Sequence, residues 1–291
     1  MENQTATRVL AKSSECGVDR RLLRRLAMST LAAKYVMALT GLGLTLFVVV
    51  HLGGNLLIFL GRDAFNSYAE SLQEHFVLLW LARVLLFVAF TVHVAVGIQF
   101  TFRNRAARPV PYFSMRPAQS TWAAQHMLLT GLVVMAFIVY HLLHFTFGVI
   151  DPENFKSVIS ADARGRHDVA AMVVAGFSQP LVAAAYVVAQ FVLGLHLAHG
   201  VWSSFQSLGI NFENPLYQPS DVSKTKNWRR CLRLDGRGYA WLVHMFGALM
   251  VTVVVLGNCS IPLAIQFGWR PSGFEERPAN KQVSRNPSSL P

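Results

Sequence analysis

The chain has 291 residues, of which 53% are hydrophobic and 14% charged, with a net charge of +11 and a mean hydropathy of +0.38. A soluble domain carries nearer a quarter charged residues, and here the apolar residues fall into long blocks, which excludes an ordinary soluble fold. The basic excess gathers in particular links between those blocks, a pattern that sets membrane topology and argues against nucleic acid as the partner.

Residues 1–30 are basic and polar, with a short amphipathic piece at Arg20–Leu31. Five apolar runs follow, roughly Leu31–Leu60, Val77–Phe102, Thr121–Ile150, Gly176–Leu208 and Tyr239–Phe267. Each is long enough to cross a bilayer, which takes about 20 residues of helix. Open strands cannot cross lipid, so the runs are expected to be helices. The first run starts too late and is too long for a cleavable signal peptide. The expected class is an all-α membrane protein: a cytoplasmic N-terminal segment at 1–30, a five-helix domain at 31–268, and a disordered C-terminal tail at 269–291. No internal repeat is evident.

Arg8, Lys12, Arg20, Arg21, Arg24, Arg25 and Lys34 precede or open the first run. Arg103, Arg105, Arg108 and Arg116 follow the second, and Lys224, Lys226, Arg229, Arg230, Arg233 and Arg237 lie between the fourth and fifth. The other links carry fewer cations. The positive-inside rule places the N-terminus in the cytoplasm and the C-terminus outside. Cys16, Cys231 and Cys259 form no Cys-x-x-Cys or Cys-x-x-Cys-His, which excludes a zinc ribbon and covalently attached haem. Cys259 has no cysteine on its own side, so no structural disulfide is expected.

Histidine carries the chemistry. Four runs each hold at least one well inside the apolar stretch: His51, His93, His141 with His144, and His196 with His199. An ionisable group in lipid marks a functional site by default. At about 1.5 Å per helical residue, His51 and His141 both lie roughly 15 Å from the outer edge of their helices. His93 lies a similar distance from the inner edge, and His196 sits near the inner end of its run. The expected arrangement is two His–His pairs stacked across the membrane. Zinc and copper favour further ligands, and neither level offers a cysteine or carboxylate. A haem needs two axial imidazoles and an apolar slot. Small residues would open it: Gly43, Phe47, His51 and Gly54 share one helix face, as do His93 with Gly97 and His196 with Gly200. Arg83 is expected to partner the outer haem. His144 and His199 are each either a propionate partner or the true ligand one turn away. His244 in the fifth run is expected to be a packing residue.

Several segments resemble the cytochrome b subunit of succinate dehydrogenase and fumarate reductase, the five-helix, two-haem cytochrome b558 family. They are Lys34-Tyr35-Val36-Met37-Ala38-Leu39-Thr40-Gly41, Val50-His51-Leu52-Gly53-Gly54-Asn55, and Ala82-Arg83-Val84 with His93 and Gly97-Ile98-Gln99. They continue with Tyr140-His141-Leu142-Leu143-His144-Phe145, the stretch His196-Leu197-Ala198-His199-Gly200-Val201-Trp202-Ser203-Ser204-Phe205-Gln206, and Asn214-Pro215-Leu216-Tyr217. The resemblance covers residues from about 30 to 265, and the stretch from His196 is its most specific part.

The resemblance implies two haems b, the outer on His51 and His141 and the inner on His93 and His196. It implies a bacterial cytoplasmic membrane and, docked on the cytoplasmic face, a flavoprotein subunit with the dicarboxylate site and an iron–sulfur subunit. Electrons would pass from flavin through iron–sulfur clusters to the inner haem, the outer haem and a quinone, usually menaquinone. The chain would then be the quinone-reactive part of a respiratory enzyme that also serves the tricarboxylic acid cycle, with no dicarboxylate chemistry of its own. Glu70 or Glu74 could fill the place of an acidic residue near the outer quinone site. A membrane glutamate found in some fumarate reductases is absent, since Gly194 and Leu195 precede His196. Rival expectations are a di-haem cytochrome b of another respiratory complex, such as a hydrogenase, formate dehydrogenase or nitrate reductase, and a transporter or channel using a histidine relay.

Overall fold

A computed structural model describes residues 29–107, 122–155, 161–162, 164–209 and 236–274, with side chains described only from Met245 onward in the last helix and not at Ala123. The expectations for residues 1–28, most of the basic links, Cys16, Cys231, the Asn214 segment and the His244 side chain fall outside the described residues. All regular structure among the described residues is helical, and five helices are long and apolar enough to cross a membrane.

Helix α1 spans Thr30–Leu56 and continues as a 3-10 turn, Leu57–Leu60. Ser29 starts it by accepting a hydrogen bond from the Ala32 amide at 3.1 Å, which satisfies one of the first-turn donors. Gly61 ends the turn at φ 116°, a conformation that favours glycine, and lets the chain fold back into α2, Arg62–Glu74. Helix α3 is Phe76–Ala106, with Arg103 and Arg105 in its last turn. A short α4, Trp122–Gln125, precedes α5, Met127–His141, which runs on into a π-helical turn at Leu142–Thr146. Helices α6, Val169–Ser178, and α7, Pro180–Ser207, meet at Gln179. Helix α8 is Gly236–Gln266.

Four of the long helices close a ring. Helix α1 packs on α3 and α7, and α5 packs on α7 and more lightly on α3. Thus α1 faces α5 across one diagonal, and α3 faces α7 across the other. Helix α8 lies outside the ring against α7 and α1. One end of the bundle, where α1, α5 and α8 finish, is capped by α2, α6 and the turn after α8. The opposite end carries Arg103 and Arg105.

The structure adjusts several sequence expectations. The fourth apolar run is not one helix from Gly176. It breaks because Pro180 disfavours helical backbone at the residue before it, and Gln179 is extended at φ −83°, ψ 115°. Pro180 instead opens α7 in its first turn, where its missing N–H costs nothing. The link after the first run is helix α2. Residues 269–274, expected in a disordered tail, pack on the cap: Trp269 lies 4.8 Å from the Phe59 ring, and the Arg62 amide donates to the Ser272 carbonyl at 3.0 Å. The expected tail beyond, residues 275–291, is outside the described residues.

The cap is a polar lock. Arg62 donates through Nη2 to Asp168 Oδ2 at 2.5 Å and through Nη1 to the Gly273 carbonyl at 3.2 Å. Asn66, almost fully buried, donates to Asp168 Oδ1 at 3.0 Å and to Asp162 Oδ2 at 3.3 Å, and accepts from the Ala170 amide. Arg166 reaches Asp162, Asp63 and Ser67. Asp168 also caps α6 by accepting from the Ala171 amide. Removal from water pushes the Asp162 carboxyl up. Hydrogen bonds from Arg166, from the Arg166 and Arg164 amides and from Asn66 outweigh that and hold it well below the usual carboxylate range.

Candidate haem-binding site

Both ring diagonals carry a histidine pair. His51 of α1 and His141 of α5 lie edge to face, with ring centres 6.0 Å apart and planes at 83°. His93 of α3 and His196 of α7 repeat the relation at 6.4 Å and 73°. The first pair is nearer the capped end and the second nearer the basic end. These separations suit an edge-to-face aromatic contact. They also suit two imidazoles on opposite sides of one metal. A bound imidazole nitrogen sits about 2.0–2.1 Å from a metal, and the ring centre lies about 1.1 Å behind it, so opposed ring centres fall roughly 6.3 Å apart.

Three of the four Nδ1 atoms are already engaged. His93 Nδ1 is 3.2 Å from Thr40 Oγ1, and His196 Nδ1 is 3.2 Å from Thr130 Oγ1. His141 Nδ1 lies 3.3 Å from the Tyr186 hydroxyl, which is also 3.1 Å from His144 Nδ1. His51 stacks on Phe47 at 5.3 Å. Nε2 is therefore the nitrogen left for a metal in His93, His141 and His196.

Some glycines on the helices that carry the pairs face open space. A methyl built on Gly43 or Gly200 would meet nothing within 4 Å, and one on Gly97 would meet only the Met37 side chain at 3.4 Å. Gly54 is different from its expected place on the slot. A methyl there would strike the Tyr68 ring at 2.6 Å, so Gly54 makes room for α2. Among the described residues no three of His, Cys, Asp and Glu gather as a metal cluster, so the histidine chemistry stays pairwise.

The remaining candidates are dispersed. His144, 3% exposed, stacks on Phe145 at 4.0 Å and lies against Gly176, where a methyl would sit 3.1 Å from its Cε1. It fills the corner between α6 and α7, while His141 faces His51. The π turn beginning at Leu142 accompanies this division, as such turns often do at functional sites. His199 lies one turn beyond His196, and its ring makes no hydrogen bond among the described residues. The Arg83 guanidinium lies 5.1 Å over the Trp80 ring. Glu70 is 3.8 Å from Arg166 on the cap, and Glu74 is exposed at the end of α2.

Sequence reasoning missed Thr40, Thr130 and Tyr186, and it missed an internal repeat. Leu39-Thr40-Gly41-Leu42 recurs as Leu129-Thr130-Gly131-Leu132, followed in register by Phe47 and Phe137, Val49 and Val139, and His51-Leu52 and His141-Leu142. The second helix of each half carries His-x-Ala-x-Gly, at His93, Ala95 and Gly97 and at His196, Ala198 and Gly200. Arg83, ten residues before His93, stands where Tyr186 stands before His196.

Compared with protein-family models, curated proteins and solved structures, the chain matches none.

Proposed function

We propose that this chain is the membrane-anchoring, electron-transferring cytochrome b subunit of a succinate:quinone oxidoreductase, acting as succinate dehydrogenase or fumarate reductase in a bacterial cytoplasmic membrane. One observation carries the haem part: the two His–His pairs on crossed diagonals of the bundle, at two levels, each with ring centres 6.0–6.4 Å apart. His51 and His141 would hold one haem b, and His93 and His196 the other. Bound there, the haems supply one-electron carriage between the membrane faces. In a bilayer the apolar helices would keep water from both levels, and Tyr186 would fix the His141 ring.

The segments quoted above favour this complex over a hydrogenase, formate dehydrogenase or nitrate reductase cytochrome. The basic end would face the cytoplasm. There the flavoprotein and iron–sulfur subunits would dock, with His93 and His196 at the level nearest them. The quinone, menaquinone by the resemblance, would react near the capped end, with Glu70 and Glu74 as candidate contacts.

Purification from native membranes tests the assignment. The chain is expected to bring down a flavoprotein and an iron–sulfur subunit, and added succinate is expected to reduce its b-type absorption bands. Bands that respond to hydrogen or formate and not to succinate would move the chain to the rival complexes.

A further inference from the structure

The repeated Thr-Gly unit lies on the wrong helices for the ligands of its own level. Thr40-Gly41 is on α1, which carries His51, and Thr130-Gly131 is on α5, which carries His141. In each case the threonine lies eleven residues before the histidine, about 16 Å along the axis. That distance brings it to the level of the other pair. Thr40 meets His93 of α3, and Thr130 meets His196 of α7.

The direction of these hydrogen bonds follows from the threonines. The Thr40 hydroxyl donates to the Val36 carbonyl at 2.7 Å, with the Met37 carbonyl at 3.2 Å. The Thr130 hydroxyl shares its hydrogen between the His126 and Met127 carbonyls, both at 3.1 Å. A hydroxyl has one hydrogen and two lone pairs, so each Oγ1 is left to accept. The imidazole therefore donates Nδ1–H, and its Nε2 keeps the lone pair that a metal requires. The glycine beside each threonine completes the seat. A methyl on Gly41 would lie 3.1 Å from His93 Cε1, and one on Gly131 would lie 3.3 Å from His196 Cε1.

We propose that Thr40-Gly41 and Thr130-Gly131 are a duplicated latch, in which each threonine is a positioning residue that locks the tautomer and orientation of the histidine on the neighbouring helix at the basic-end level. The assignment rests on the bis-histidine haem reading above. A partner accepting from the far imidazole nitrogen raises the basicity of the ligating one. The latch thereby favours the oxidised iron and lowers the midpoint potential of the basic-end haem. Each of α1 and α5 then serves both levels, ligating at one and positioning at the other.

The test uses the purified full-length haem-loaded protein. A His51→Ala background isolates the basic-end haem, and a His93→Ala background isolates the other. Thr40→Val and Thr130→Val keep the side-chain shape and remove the hydroxyl acceptor, leaving the His93 ring only the Met37 carbonyl. Both are expected to raise the midpoint potential of the haem that survives in His51→Ala, with Thr→Ser restoring it and the haem that survives in His93→Ala unmoved. Gly41→Ala and Gly131→Ala, which keep the helix sound, are expected to change the low-spin electron paramagnetic resonance g-values of that same haem. They decide the matter should the valine variants not assemble. A shift confined to the other haem, threonine variants that move different haems, or unchanged g-values in both alanine variants would overturn the latch in a protein that binds both haems. A wild-type protein without b-type bands would overturn the underlying haem reading instead.

Discussion

His51 and His141 approach edge to face across the bundle, 6.0 Å between ring centres, from helices that lie on opposite corners of the ring. Helices α3 and α7 set this diagonal by packing on both α1 and α5. The same construction, turned by one helix, produces His93 and His196. The two pairs thus draw on different histidines within one set of helices.

Independence predicts a separable loss. His51→Ala or His141→Ala should lower the haem content from two to one per chain, and His93→Ala or His196→Ala should remove the other one. Haem-resolved spectra of the four variants check this. Loss of the same haem from His51→Ala and His93→Ala would contradict the pairing.

Tyr186 joins His141 to His144 through one hydroxyl, which can donate to only one of them. With His141 donating Nδ1–H, the hydroxyl donates to His144 Nδ1. Tyr186→Phe leaves two enclosed imidazole nitrogens without a partner. It should cost about 1–3 kcal/mol of stability and perturb the spectrum of the capped-end haem alone. Thermal unfolding in detergent and the spectrum of the His93→Ala, Tyr186→Phe double variant measure the two effects.

Glycines divide by what they face. Gly54→Ala drives a methyl into the Tyr68 ring, and overpacking of this kind costs about 1–3 kcal/mol. Gly200→Ala meets no protein atom within 4 Å and removes a flexible helical position, which should stabilise the haem-free chain by roughly 0.5–1 kcal/mol. On the proposed function the Gly200 variant should nevertheless hold its basic-end haem less well. Haem retention through gel filtration, beside the melting temperature, separates these outcomes.

Much of this is legible in the sequence alone. Helical rise is constant, so counting residues from charged ends placed His51 with His141 and His93 with His196. The break at Gln179 was within reach through Pro180. Helix α2 was harder, because its polar residues resemble a loop until Asn66 and Arg62 are seen turning inward to Asp168. The repeat is hard to see in the sequence because its halves are offset unequally: Thr40 to Thr130 is 90 residues, and His93 to His196 is 103. Thr40 and Thr130 gave no signal alone, since their role lies on neighbouring helices. Arg83 shows the limit of analogy between halves, for it turns to Trp80 while Tyr186 turns to the histidines.

The cap should resist acid. Ionised Asp162 is stabilised by Arg166 and by amides, and its carboxyl titrates below the ordinary value of about 3.9. Its contribution is therefore complete above that ordinary value, shrinks as pH falls below it, and is gone once pH has fallen through the lower folded value. Asp162→Asn should speed amide exchange over residues 164–172 at pH 5–7, and the gap between variant and wild type should narrow once the pH drops below about 4. A gap that first appears on acidification would contradict the sign.

A haem assay shows directly what binds between the paired rings. The purified chain, converted to the pyridine haemochrome and compared with its protein concentration, should give two haems b per chain, with reduced-minus-oxidised bands of the b type. A colourless protein, or one whose iron stays unbound when all four of His51, His93, His141 and His196 are intact, would contradict it.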